Sequence, residues 1–382
     1  MTALFNLDKT NDIAKQAFLI RITCFFWLLG KLASYKSWIA DRSLPTVALF
    51  EFLDDLPVSV HLISFLVSIL LLVTIIVKPL KILLQLFMVV EIFSVILDVL
   101  RIQPWEYLYL FIVVLYVVFE KRPLFFYKCL LAIVSSTYIF SGLHKFGGAF
   151  LHNIWDSFFL KTIFNYPNTP IPWGLHYAGI LISICEFFAG VLLLVKKRKK
   201  LVIFALIIMH IFIIITTGLI PYKLINSIIP WNVMMVIILL YILHLSHSSR
   251  VDNQSVSLPS TTLCILLIFW YVLPFSSLFG FWVLPLSSGM YTGKTPAIYI
   301  CWKSSDINVL DSAYLTKDVF SICSGNKLLL LDNWTSLESA QAAFPALWYY
   351  KKLNKRLKDK YPDAGIKMFC TYYPFNEIRE IR

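Results

Sequence analysis

The chain has 382 residues, of which 59% are hydrophobic and 15% charged, and its formal net charge is +12. Soluble domains carry roughly 25% charged residues, so this composition excludes an ordinary water-soluble fold, which could not hide so much apolar surface. The positive charge is not a nucleic-acid signal, because its densest clusters fall in short turns between apolar blocks.

Those blocks are long runs, unlike the short alternating segments of an outer-membrane barrel. Helices are therefore the expected spanning elements, since each satisfies its own backbone hydrogen bonds in lipid. In chain order, runs long enough to cross a bilayer fall at 14–34, 58–77, 82–99, 104–119, 126–145, 175–195, 201–220, 228–246 and 261–283. The pattern predicts an all-α polytopic membrane bundle of about nine transmembrane helices over residues 1–284. A small soluble α+β domain is expected over 285–382. The polar stretch Asn6 to Gln16 before the first run argues against a cleavable signal peptide, although Lys31-Leu32-Ala33-Ser34 faintly resembles a cleavage site.

Basic residues mark alternate turns: Lys78 and Lys81; Lys121, Arg122 and Lys128; and Lys196-Lys197-Arg198-Lys199-Lys200. The intervening connections, around Arg101 to Pro104 and Pro221 to Asn226, carry fewer. By the positive-inside rule the N-terminus is expected in the cytoplasm, with the 146–174 loop and the tail on the opposite face.

An ionisable group at the bilayer centre costs at least about 2.5–3.5 kcal/mol, so it tends to face a cavity or a partner. In the first half Arg21, Glu91 and Asp98 qualify, and Arg21 and Asp98 are candidate partners across the bundle, beside a purely structural or snorkelling reading. The second half is richer. Tyr138-Ile-Phe-Ser141-Gly142-Leu-His144-Lys145 ends one run, with small residues that allow close helix contact. Lys145 by itself reads as a snorkelling lysine at an interface. Glu186 lies too deep to snorkel, His210 sits in mid-run ahead of Thr216-Thr217-Gly218, and Asn226 and Pro230-Trp231-Asn232 open the next run. A lysine, a carboxylate, an imidazole and an amide on four consecutive helices exceed what packing requires.

The stretches YIFSGLHKF (138–146), Trp155, CEFFAG (185–190), KKRKK (196–200) and MHIFIIITTG (209–218) together resemble the membrane domain of the vitamin K-dependent γ-carboxylases and of their bacterial relatives, the horizontally transferred transmembrane (HTTM) proteins. The resemblance covers residues 15–245 and is best between 130 and 235. The DoxX-type redox-associated membrane proteins share the glycine–lysine and acidic–glycine pattern and are the competing assignment. The carboxylase resemblance implies a reduced quinone cofactor, with Lys145 as the base that deprotonates it. Beside it, His144 or His210 is a candidate to hydrogen-bond a quinone oxygen or shuttle a proton, and Glu186 to orient either one. Trp155, Asn226, Trp231 and Asn232 are the candidate cofactor-binding residues, and no metal is expected. The bacterial relatives imply an inner-membrane location with a periplasmic tail. The carboxylases also have a large β-rich portion that docks their protein substrate, and the tail here is too short for it, which puts protein carboxylation in doubt.

In the tail, 297–302 and 327–331 read as buried strands, 336–360 as a helix with Ala340, Ala343, Leu347, Tyr350 and Leu353 on one face, and 365–373 as a further strand. The basic run Lys351, Lys352, Lys355 and Arg356 reads as a solvated helix face. Seven cysteines show no metal-like spacing, and Cys301, Cys323 and Cys370 allow one disulfide in an oxidising compartment.

Three function classes follow: a membrane enzyme acting on a quinone or another lipid-soluble substrate; a non-catalytic subunit of a redox or secretion assembly that docks a membrane or periplasmic partner through its tail; and a transporter. Against transport, no inverted repeat is apparent. The expected surroundings are a lipid bilayer, with no nucleic acid.

Overall fold

A computed structural model of the chain describes residues 9–39, 45–218, 228–246, 259–303, 315–316, 322–323, 327–339, 341–375 and 377–382. The apolar runs become helices α1 (Lys9–Ala33), α2 (Tyr35–Ile39), α3 (Val58–Val77), α4 (Lys81–Leu97), α5 (Pro104–Phe119) and α6 (Pro123–Lys145). After a π-helix at Phe150–Ile163 come α7 (Trp173–Ala178), α8 (Ile180–Leu193), α9 (Lys199–Gly218) and α10 (Ile228–Ser246). The last apolar helix, α11, covers Ser260–Phe279. Seven helical stretches among the described residues are long and apolar enough to cross a membrane, with α7 and α8 forming one of them. Of the nine expected spans, α4 and α5 are the shorter two, at 17 and 16 residues.

Proline starts α5 and α6, where its missing N–H costs nothing. The expected 146–174 loop instead contains the 14-residue π-helix, a rare winding.

Lys31, Glu91 and Arg101 of the first half are held by polar partners inside the bundle. Fully buried Lys31 donates to Glu91 at 2.7 Å, and Ser68 Oγ donates to the other Glu91 oxygen at 3.1 Å. Lys31 Nζ also lies 3.2 Å from the centroid of the Trp38 ring. Arg101, likewise fully buried, donates to the carbonyls of Ser37, Trp38 and Ser94 and shares a 2.9 Å hydrogen bond with His61. The candidate Arg21–Asp98 pairing does not form. Arg21 is exposed, whereas Asp98 is fully buried and accepts from the Leu100 N–H at 3.1 Å.

The tail folds as a five-stranded antiparallel sheet of β1 (Ala297–Trp302), β2 (Leu315–Thr316), β3 (Lys327–Leu330), β4 (Lys367–Thr371) and β5 (Ile378–Ile381), in the order β2-β3-β1-β4-β5. Alternate residues of β1 serve opposite faces. Ile298, Ile300 and Trp302 join the core beneath helices α12 (Leu331–Ser339) and α13 (Leu347–Lys360), while Tyr299 and Cys301 face the other way. There Cys301 forms a disulfide with Cys323, and Cys370 is a free, buried thiol.

Two tail expectations need correction. The single helix over 336–360 is broken, because Pro345 cannot occupy a helix interior and biases Phe344 towards extended backbone. The basic face of α13 is not wholly solvated. Lys351 and Lys355 are exposed, but Lys352 and Arg356 reach Asp54 at 2.8 and 3.2 Å and donate to the Ala48 and Thr46 carbonyls. Val47, Val99 and Leu100 from the bundle's connections join the core of the tail. The tail therefore sits on the bundle end formed by the connections before α3 and α5.

Replacing Asp54 by alanine leaves two cations facing each other at this seam without their counter-ion. The expected cost is about 3 kcal/mol of docking free energy. Limited proteolysis of the detergent-solubilised protein should then release the tail faster than from the wild-type chain.

Candidate functional site

The site is set by how closely α6 and α8 approach. A Cβ on Gly142 would lie 2.5 Å from the Phe187 backbone nitrogen, and one on Gly190 would lie 2.6 Å from that of Ile139. Only glycine permits backbone contact on both sides. Ser135 Oγ closes the contact by donating to the Gly190 carbonyl at 2.7 Å.

This contact aligns two helix faces. Tyr138, Ser141 and Lys145 follow at i, i+3 and i+7, and so form one stripe of α6. Opposite them on α8, Glu186 accepts from Lys145 Nζ at 2.6 and 2.5 Å and from Ser141 Oγ at 2.7 Å. Lys145 also donates to Ser141 at 2.9 Å. Both side chains of the ion pair are 9% exposed, so Lys145 is not a snorkelling lysine.

A second polar chain runs alongside. Asn232 Nδ2 donates to the Ile228 carbonyl at 2.8 Å, which leaves Oδ1 to accept from His210 Nδ1 at 2.6 Å. In a neutral ring Nε2 is then the acceptor, and it meets the Tyr138 hydroxyl at 2.6 Å.

Both chains border one cavity of about 560 Å³, within the range typical of small-molecule sites. Lys145, Glu186, His210, Trp231 and Asn232 all line it, with Tyr138, Ser141 and Trp105. Its roof comes from residues 284–295 and from the segment after α12, including Gln341, Ala343 and Pro345. Gln341 is buried, and among the described residues its Nε2 has no hydrogen-bond partner.

Two sequence candidates lie elsewhere. His144 is buried and shares a 2.8 Å hydrogen bond with Ser277 of α11. Trp155 donates to the Leu175 carbonyl at 2.8 Å and packs against Gly179, joining the π-helix to α7. Asn226 lies outside the described residues. The sequence reading missed Ser141 as the hydroxyl between lysine and glutamate, although its three- and four-residue spacing from Tyr138 and Lys145 was the available signal. It also missed Trp105 and Gln341, which no local pattern marks.

Comparison of the chain with protein-family models, characterised proteins and solved structures finds no match.

A larger side chain at Gly142 must force α6 and α8 apart. Gly142→Leu is expected to destabilise the bundle by about 1–3 kcal/mol. Thermal unfolding in detergent should show a lowered midpoint, whereas a leucine at Gly174, where a Cβ meets nothing within 4 Å, should leave it unchanged.

Proposed function

We propose that this chain is a membrane enzyme of the carboxylase-like HTTM type, which binds a hydroquinone or similar lipid-soluble phenol in the cavity and uses Lys145 as its base. One observation carries the reading: a lysine, a carboxylate, an imidazole and an amide from four helices converge on one cavity with tryptophan and methionine walls.

The residues present fit such a ring system. Trp105, Trp231, Met209 and Met235 offer flat or adaptable apolar surfaces, and Gln341 Nε2 is an unused donor for a ring oxygen. When bound, a hydroquinone supplies acidic ring hydroxyls and two transferable electrons. Lys145 takes a hydroxyl proton at Nζ, which requires the neutral amine. Glu186, hydrogen-bonded to the same nitrogen, is the group placed to take up its ammonium proton. Ser141 touches both groups and holds the geometry. Asn232 orients His210, whose Nε2 accepts the Tyr138 hydroxyl proton, so Tyr138 turns an acceptor oxygen towards a bound ring hydroxyl. Protein carboxylation is not proposed, because the tail is too small for a propeptide-docking portion.

The same reading has nine crossings, counting α4 and α5, with the basic turns in the cytoplasm and the tail outside. The Cys301–Cys323 disulfide supports an oxidising compartment for the tail. An alkaline phosphatase fused after Arg382 should therefore be active, and an inactive fusion with normal expression would reverse the orientation.

The enzyme reading is tested with menadiol, a reduced naphthoquinone, titrated anaerobically into the purified chain in nanodiscs. Saturable quenching of tryptophan fluorescence is expected, together with the red-shifted absorbance of the phenolate. His210→Ala should weaken binding about tenfold. Lys145→Ala should retain binding and lose the phenolate signal. Absence of saturable quenching, or phenolate formation that persists in Lys145→Ala, would overturn the proposal and favour the non-catalytic subunit.

A further inference from the structure

The second cluster of chemically competent side chains lies outside the cavity, where the π-helix meets α7. His152 and Asp156 are one i,i+4 pair on the π-helix, and His176 belongs to α7. Trp155, wedged against Gly179, brings the two elements together. His176 Nδ1 lies 2.7 Å from Asp156 Oδ2, and His152 Nδ1 lies 3.6 Å from the same oxygen. One ligand atom from each of the three residues lies within 4.8 Å of the others.

Hydrogen bonding does not account for the whole group. Asp156 is 8% exposed, yet its other oxygen, Oδ1, is buried with no hydrogen-bond partner among the described residues. A buried carboxylate oxygen without a partner is costly, and a cation would satisfy it. The imidazoles add two nitrogen ligands, and the rings lie 4.8 Å apart between centroids.

We propose that His152, Asp156 and His176 form a binding site for a divalent transition-metal ion of zinc type. Two nitrogens and one carboxylate oxygen are a donor set that zinc accepts, with a fourth position left for water. Zinc–ligand bonds of about 2.0–2.2 Å bring ligand atoms to about 3.5 Å apart. That spacing requires the 2.7 Å His176–Asp156 contact to open and His152, whose side chain is 55% exposed and stacks on the Tyr373 ring at 5.6 Å, to swing inward. The ion would tie the π-helix to α7. Cavity-lining Ile154 lies between the two π-helix ligands, so the site braces one wall of the cavity from behind. This inference does not depend on the hydroquinone reading.

The test is calorimetric titration of zinc chloride into the untagged, metal-stripped full chain in detergent, with magnesium chloride as comparator. One zinc per chain is expected, with no magnesium binding. His176→Ala and Asp156→Asn should each weaken zinc binding by at least about tenfold. Asp156→Asn keeps an oxygen that accepts from His176, so it guards against simple misfolding, and unchanged far-ultraviolet helicity checks this. Cobalt should give visible d–d bands in the wild-type chain that are lost in both variants. Zinc binding that is absent from the folded wild type, or equally tight in folded Asp156→Asn, would overturn the site.

Discussion

Backbone contact between α6 and α8 is the constraint on which the site depends. Gly142 and Gly190 allow the two helices to touch over the stretch that carries Ser135, Ser141, Lys145, Ser183 and Glu186. In lipid the apolar exterior gives helices little reason to associate, so close packing and interhelical hydrogen bonds hold them together. The Lys145–Glu186 pair follows from this contact and also secures it, because separating the helices would leave two charges in a medium that cannot solvate them.

Among the described residues the bundle has two buried ionic networks with different surroundings. Lys31, Glu91 and Arg101 are met by Ser68, Ser94, His61, the Trp38 ring and main-chain carbonyls, and none of these groups borders the cavity. That network ties α1, α3 and α4 to one another. Lys145, Glu186 and His210 border space as well as one another. The two networks are built from similar residue types and differ in what each charge faces.

The tail touches both halves of the bundle. Its core takes in Val47, Val99 and Leu100 from the bundle, and Lys352 and Arg356 fasten it to Asp54. The segment that Pro345 keeps out of a helix forms part of the cavity roof. The chain break that upset the expected long helix is therefore the feature that lets the tail close the site. On the same face the π-helix docks through Asn153 to the Gly293 carbonyl at 3.0 Å, so roof and outward loop support each other.

Much of the helical architecture was legible in the sequence. Runs at 58–77, 104–119 and 228–246 became helices with those bounds, because hydropathy is a sum over neighbours in the chain and helices satisfy their backbone locally. The residues of the site were legible as types, since a charge in an apolar run stands out wherever it is: Lys145, Glu186, His210 and Asn232 were all marked. Their partners were not. Arg21 and Asp98 looked as eligible for pairing as Lys145 and Glu186, and Lys352 looked like any solvated lysine. Which charge meets which depends on the rotation and depth of each helix, and these are fixed by contacts such as Phe187 on Gly142, between residues far apart in sequence. Only the tertiary structure decided those contacts, and with them the cavity, its roof and the histidine–aspartate cluster beside it.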